Sequence, residues 1–249
     1  MDDGARVAII TGGSSGIGLA CGQLLGQAGY DVVLTARREG PLCEAAEGMG
    51  ARWVAADCAE EDGFSAVVAE ASRGAGQVDL VVHAAGMMAG TFVRKESAAT
   101  FDAVIRTNLR SAFVVASQAL PLMSVGGRIV FLSSSSAHAP HPGRAAYSAS
   151  KAGLNAFASA LAKETDRDGI AVHVVTTGPV ATPMLDDVRF PMLALDPHDV
   201  ARTIMWLDQL SPNVSLPEVE LTSVERGPFA PEPFVPEAAR SLGRTQLPG

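Results

Sequence analysis

At 249 residues, 47% of them hydrophobic and 25 of them glycine, the chain has room for one α/β domain with a large core or for two small domains. A formal net charge of −8 excludes general nucleic-acid binding, because neutralising phosphates needs clustered Lys and Arg. Cys21, Cys43 and Cys58 lack metal-ligand spacing and the five histidines form no His/Cys cluster, so no metal site is expected.

The opening "MDDGARVAII" is acidic and meets only a short apolar stretch, unlike a signal peptide, and no apolar run reaches membrane-spanning length. A soluble, cytoplasmic protein with no membrane partner is the expectation. The first strand, "RVAII" (6–10), leads through "TGGSSGIG" (11–18) into a helix. In that helix Ile17, Cys21, Leu24 and Ala28 recur as one apolar stripe. Further short apolar runs follow: "DVVLTA" (31–36), "RWVAA" (52–56), "DLVVHAA" (79–85), "GRIVFLS" (127–133), "AVHVVTT" (171–177) and the weaker "EVELTSV" (218–224). Near-continuous apolar runs are what strands covered on both faces look like. Alternation with helical segments predicts a single α/β domain over 1–224, a doubly wound parallel sheet. The end, 225–249, carries five prolines and reads as either a disordered tail or an arm lying on the protein or a neighbouring subunit.

A glycine-rich turn between a strand and a helix has a specific chemical use. Gly12 permits a sharp turn, Gly16 lets backbone approach a pyrophosphate, and Gly18 lets helix and strand pack closely. The helix N-terminus, including Ile17, offers N–H groups to phosphates, and Ser14 and Ser15 add hydroxyl donors. An ordinary strand–helix turn is the plain alternative. The T-G-x-x-x-G-x-G spacing, with the strand pattern from about Arg6 to Leu210, resembles the short-chain dehydrogenase/reductase family.

The resemblance implies a Rossmann-type domain with a seven-stranded parallel sheet, assembled as a homotetramer or homodimer. Helices over 97–122 and 145–168 would meet at its interface. It also implies a cofactor. In "TARRE", Ala36 stands where relatives using NAD carry Asp, and Arg37, flanked by Arg38, can pair with a 2′-phosphate, so NADP is expected over NAD. Asp57 and Cys58 match the family's pair at the adenine ring. In "HAAG" (83–86), Ala84, Ala85 and Gly86 keep the small surface beside the cofactor, while His83 replaces an amide and reads as a structural histidine. In "TTGPVATPM" (176–184), Val180 and Thr182 would meet the nicotinamide end, with Thr177 in place of the family's proline.

The catalytic expectation combines spacing with resemblance. Tyr147 and Lys151 stand at i and i+4 and share a helix face. Ser134 follows the fifth strand, at the carboxyl edge where open parallel sheets bind ligands. The family carries its catalytic serine there, and Asn108 in "RTNLRSAF" matches its helix asparagine. On this reading Tyr147 is the general acid/base, with its pKa lowered by Lys151 and the oxidised nicotinamide, and Ser134 bonds the substrate oxygen. Pro183–Leu195 is the expected substrate cover; His138, His141 and Arg144 either reach a polar substrate or only meet solvent.

The expected function is NADP-dependent reduction of a ketone or aldehyde to an alcohol, or the reverse. A 3-oxoacyl-carrier-protein/CoA reductase or 3-hydroxy-acid dehydrogenase is the alternative within the class. A non-catalytic dinucleotide-binding regulator would lack the Tyr, Lys or Ser, and a serine hydrolase would need a G-x-S-x-G elbow.

Overall fold

The computed structural model describes residues 4–73, 76–226 and 230–247. Residues 1–3 and 74–75 of the expected domain, and 227–229 and 248–249 of the proline-rich end, lie outside the described residues.

The strands are β1 (Val7–Thr11), β2 (Asp31–Ala36), β3 (Arg52–Ala55), β4 (Val78–His83), β5 (Met123–Ser134), β6 (Ala171–Thr177) and β7 (Glu218–Leu221). They form one seven-stranded sheet in the order β3-β2-β1-β4-β5-β6-β7, with every pairing parallel. The helices are α1 (Gly16–Gln27), α2 (Glu39–Glu47), α3 (Glu61–Ala71), α4 (Ala98–Ile105), α5 (Ser111–Ala119), α6 (Ala145–Thr165), α7 (Pro197–Asp208) and α8 (Glu237–Ser241).

Strand periodicity explains the three layers. Val7 and Ile9 point into a core shared with α3, α5 and α6, whereas Ala8 and Ile10 point into one shared with α1, α2 and α7. All four side chains are fully buried, and each buried Val or Ile contributes about 1.5–3 kcal/mol. The deepest face of α1 runs through Gly18, Cys21, Gly22 and Leu25. Leu24 packs at the edge, and Ala28 is exposed because the helix ends at Gln27.

Two departures from the expected boundaries shape the site. Ala84 and Ala85 lie beyond β4, which ends at His83, so they form part of the loop at its carboxyl end. Between α4 and α5 the backbone forms a π-turn over Arg106–Arg110, with Asn108 at its centre. The chain enters the sheet at β1, builds outward to β3, and returns through β4 to the opposite half. That reversal opens a crevice at the carboxyl ends of β1 and β4.

The proline-rich end folds back on the segment after β6. Phe234 and Met192 exchange backbone hydrogen bonds of 2.9 and 3.0 Å. The Ala238 N–H donates to Asp186 O at 2.9 Å, and an Arg244 guanidinium N–H donates to Arg189 O at 3.2 Å.

Candidate active site

The crevice is a cleft of ≈ 1140 Å³. Gly12, Ser14, Ser15, Gly16, Ile17 and Gly18 line its floor, and Arg37, Arg38, Asp57 and Cys58 line one end. Ala84, Ala85, Gly86, Val180 and Thr182 line its middle, and Ser134, Tyr147 and Lys151 the other end. Asn108 is the expected site residue that does not line it; it is fully buried behind Gly86.

The glycine turn has steric reasons for its composition. Gly12 has φ +68°, and a Cβ there would lie 2.9 Å from the Ala84 backbone. A Cβ on Gly18 would lie 2.3 Å from the Gly12 carbonyl oxygen, so the helix can fold back on its own turn only without a side chain. Ser15 caps α1 in an extended conformation but makes no capping side-chain hydrogen bond. The first-turn N–H groups therefore remain donors toward the cleft. At the far end Arg37 and Arg38 are exposed, and neither holds an ion-pair partner among the described residues. With Ala36 offering no carboxylate at the end of β2, this donor set fits a dinucleotide carrying an extra phosphate.

Asp57 is more constrained than its sequence position implied. It accepts from the Ala59 N–H at 3.0 Å and from Arg106 at 2.9 Å. Burial pushes its carboxyl up, but these two bonds outweigh it and hold the group below its ordinary value. Arg106 was not anticipated, since it lies 49 residues from Asp57 and meets it only in the folded chain.

His83 is structural, and its hydrogen bonds fix its tautomer. Thr11 Oγ1 already accepts from the Ala85 N–H at 3.0 Å, and Ser111 Oγ donates to Thr107 O at 2.6 Å. Ser111 therefore receives from His83 Nε2–H at 3.0 Å, and the Thr11 hydroxyl donates to His83 Nδ1 at 2.9 Å. Burial, with the Lys151 charge second, pushes the imidazole down to about 3, so it is neutral. It ties β1, β4 and α5 together beside the cleft.

Asn108 Oδ1 accepts from the Met87 N–H at 2.8 Å, and its amide donates to Met87 O at 2.9 Å and Ser150 Oγ at 3.0 Å. Tyr147 and Lys151 share a face of α6 and are 7% and 6% exposed. The ammonium lies 5.9 Å from the phenol ring centre and donates to Leu132 O at 2.7 Å. Burial pulls Lys151 down to about 8. Burial also pushes the Tyr147 phenol up, against the influence of the nearby Ser134 hydroxyl and the charge of Arg144. The expected acidification by Lys151 is thus not what the protein alone produces: desolvation dominates, and the phenol keeps its proton.

The loop before α6 divides. His138 leaves the cleft and pairs with Glu218 at 2.8 Å, while His141 and Arg144 line the cleft with Met88, Met184, Val188, Phe190 and Met192. Met184, Val188, Phe190 and Met192 fall within the expected cover, Pro183–Leu195, whereas Met88 had no place in the expectation; the fold brings three separate segments over one pocket.

Comparisons with known proteins agree with this geometry. The family model for short chain dehydrogenase matches residues 6–191. The acetoacetyl-CoA reductase of Cupriavidus necator is 34% identical, over 81% of this chain and 90% of its own. An uncharacterized oxidoreductase of Staphylococcus saprophyticus is 29% identical, over 88% of this chain and 97% of its own. Among solved structures, an actinorhodin polyketide ketoreductase variant with NADPH superposes with a TM-score of 0.80 at 29% identity, covering 88% of this chain and 96% of its own. A dehydrogenase/reductase from Sinorhizobium meliloti also gives 0.80, at 28% identity, covering 88% of this chain and 94% of its own. The chain belongs to the short-chain dehydrogenase family, as an oxidoreductase acting on carbonyl and CH–OH groups.

Proposed function

We propose that this protein reduces a ketone with NADPH, with Ser134, Tyr147 and Lys151 at the reacting end and Asn108 supporting them. The observation that carries this reading is a buried Tyr147, one helical turn from Lys151, lining a cleft whose opposite end holds Arg37 and Arg38 without ion-pair partners among the described residues. The acetoacetyl-CoA reductases and the NADPH-bound ketoreductase among its relatives support it.

When bound, the dinucleotide supplies a hydride, the electron pair that converts a carbonyl carbon to a carbinol. Gly12 to Gly18 would hold its pyrophosphate on the N–H groups of α1, and Arg37 and Arg38 its 2′-phosphate. Val180 and Thr182, above the carboxyl ends of the strands, would hold the nicotinamide end. Ser134 hydrogen-bonds the substrate oxygen as negative charge develops there. Tyr147 Oη gives that oxygen its proton, so the carbonyl π bond is replaced by C–H and O–H bonds. A phenol kept protonated by burial suits proton donation. Lys151 keeps a positive charge beside the phenolate that forms, and its hydrogen bond to Leu132 O fixes its position. Asn108, held by three hydrogen bonds, anchors the π-turn behind Gly86 and Lys151.

NADPH oxidation measured against a panel of ketones tests this directly, with Tyr147→Phe in parallel. Loss of general acid catalysis should lower kcat by about 10²–10⁴-fold while NADPH still binds. Equal turnover by wild type and variant would remove Tyr147 from the chemistry. The family's tetramer or dimer is part of the same proposal, tested by the mass of the purified protein in solution.

A further inference from the structure

We infer that Arg144 is an anion anchor in the substrate end of the cleft, and that the preferred substrate is an oxo acid whose carboxylate lies a few bonds from the ketone. This rests on the cleft being the carbonyl-reducing site proposed above.

The local sequence builds the anchor. In His141-Pro142-Gly143-Arg144, the Arg144 N–H donates to His141 O at 3.1 Å and Gly143 has φ +77°. Proline in the second position and a positive-φ glycine in the third are the makings of a type II turn. The turn delivers Arg144 to the N-cap of α6, where its side chain makes no capping hydrogen bond. It stands three residues, about one helical turn, ahead of Tyr147, and both side chains line the cleft.

Four arginines line the cleft without an ion-pair partner among the described residues; Arg37 and Arg38 lie at the opposite end, and of the two at the substrate end Arg189 is exposed and Arg144 is half-buried. Arg6, Arg52, Arg106 and Arg202 each hold a carboxylate. Arg144 is half-buried and has no ion-pair or side-chain hydrogen-bond partner among the described residues. Two carboxylates line the cleft with it. Asp57 is taken by Arg106 at the opposite end, and Asp187 sits on an exposed stretch. A partly desolvated guanidinium without a counter-ion is a ready bidentate site for an oxyanion. The Arg144 charge also reaches the acid, where it opposes the upward pull of burial on the Tyr147 phenol.

The surroundings define the rest of the substrate. Met88, Met184, Val188, Phe190 and Met192 give the same end an apolar lining for an alkyl part. Arg144 stands one helical turn from the phenol that meets the ketone oxygen and its charge reaches that phenol, so a short oxo acid can present its oxyanion to one and its ketone to the other. A carboxylate on the substrate itself satisfies that spacing. The phosphates of a long carrier arm would lie much farther from the ketone.

The test compares NADPH-dependent kcat/KM for 2-oxobutanoate, 3-oxobutanoate and 4-oxopentanoate with that for their ethyl esters, and adds acetoacetyl-CoA. Wild type, Arg144→Gln and Arg144→Lys are measured alike. The expected result is a wild-type preference for at least one acid over its ester. Arg144→Gln should lower that acid-to-ester ratio by roughly 10- to 100-fold, with partial recovery in Arg144→Lys. An unchanged ratio would overturn the anchor, and a loss confined to acetoacetyl-CoA would assign Arg144 to carrier phosphates and overturn the oxo-acid assignment. If wild type oxidises NADPH with none of these and with no ketone of the wider panel, the carbonyl-reductase reading itself falls. Turnover of neutral ketones with no Arg144 effect sinks the anchor alone.

Discussion

The Lys151 ammonium donates a 2.7 Å hydrogen bond to the main-chain oxygen of Leu132 while almost wholly buried. Burial lowers its pKa from 10.5 to about 8, a difference of roughly 3 kcal/mol. The unfolded chain keeps this proton up to about pH 10.5 and the folded protein only to about 8, so stability rises with pH across that window. At pH 7 the charge is a cost that function imposes. Lys151→Met should therefore abolish reduction yet stabilise the fold by about 2 kcal/mol, after about 1 kcal/mol is lost with the Leu132 hydrogen bond. Urea unfolding at pH 7 and pH 10 checks this. A variant less stable than wild type at pH 7 would contradict it.

Arg37 stands just past the end of β2 and forms no ion pair among the described residues; the carboxylate beside it, Asp57, is held by Arg106. Arg37→Ala should weaken NADPH binding by roughly 1.5–3 kcal/mol, the worth of hydrogen bonds to a charged group. NADH, which lacks the 2′-phosphate, should lose far less. Titration of both dinucleotides by fluorescence gives the two ratios, and equal losses would remove the phosphate argument.

His83 carries an acid liability. Its folded pKa is about 3 and its ordinary value 6.5, so its contribution to stability is complete above 6.5 and is lost as pH falls toward 3. The full difference is on the order of 5 kcal/mol. His83→Asn should start about 1–3 kcal/mol less stable at pH 7, through lost hydrogen bonds, but should show a much shallower fall on acidification. Parallel slopes for wild type and variant between pH 7 and pH 4 would show that another group governs the acid transition.

The strands, the glycine turn and the Tyr147–Lys151 pair were legible because each is a local pattern. A run such as "DVVLTA" can be buried on both faces in only a few ways, and residues at i and i+4 must share a helix face. The Arg106 clamp on Asp57 was not legible. The two residues are 49 apart in the chain, and no local pattern links the start of the π-turn to the residues that follow β3. The proline-rich end was legible as non-helical over most of its length, but its pairing through Phe234 with Met192 depends on where the segment after β6 comes to rest.

By itself, then, the sequence determined the parallel α/β architecture, the glycine-rich turn and the shared helix face of Tyr147 and Lys151, since periodicity, glycine sterics and helix spacing act over a few residues. Only the tertiary structure decided how deeply that pair is desolvated. Desolvation depends on everything packed around a group, and it raises the Tyr147 phenol and lowers the Lys151 ammonium. The same packing left Arg144 without a counter-ion among the described residues, because whether a charge is paired depends on which distant carboxylates the fold brings near it.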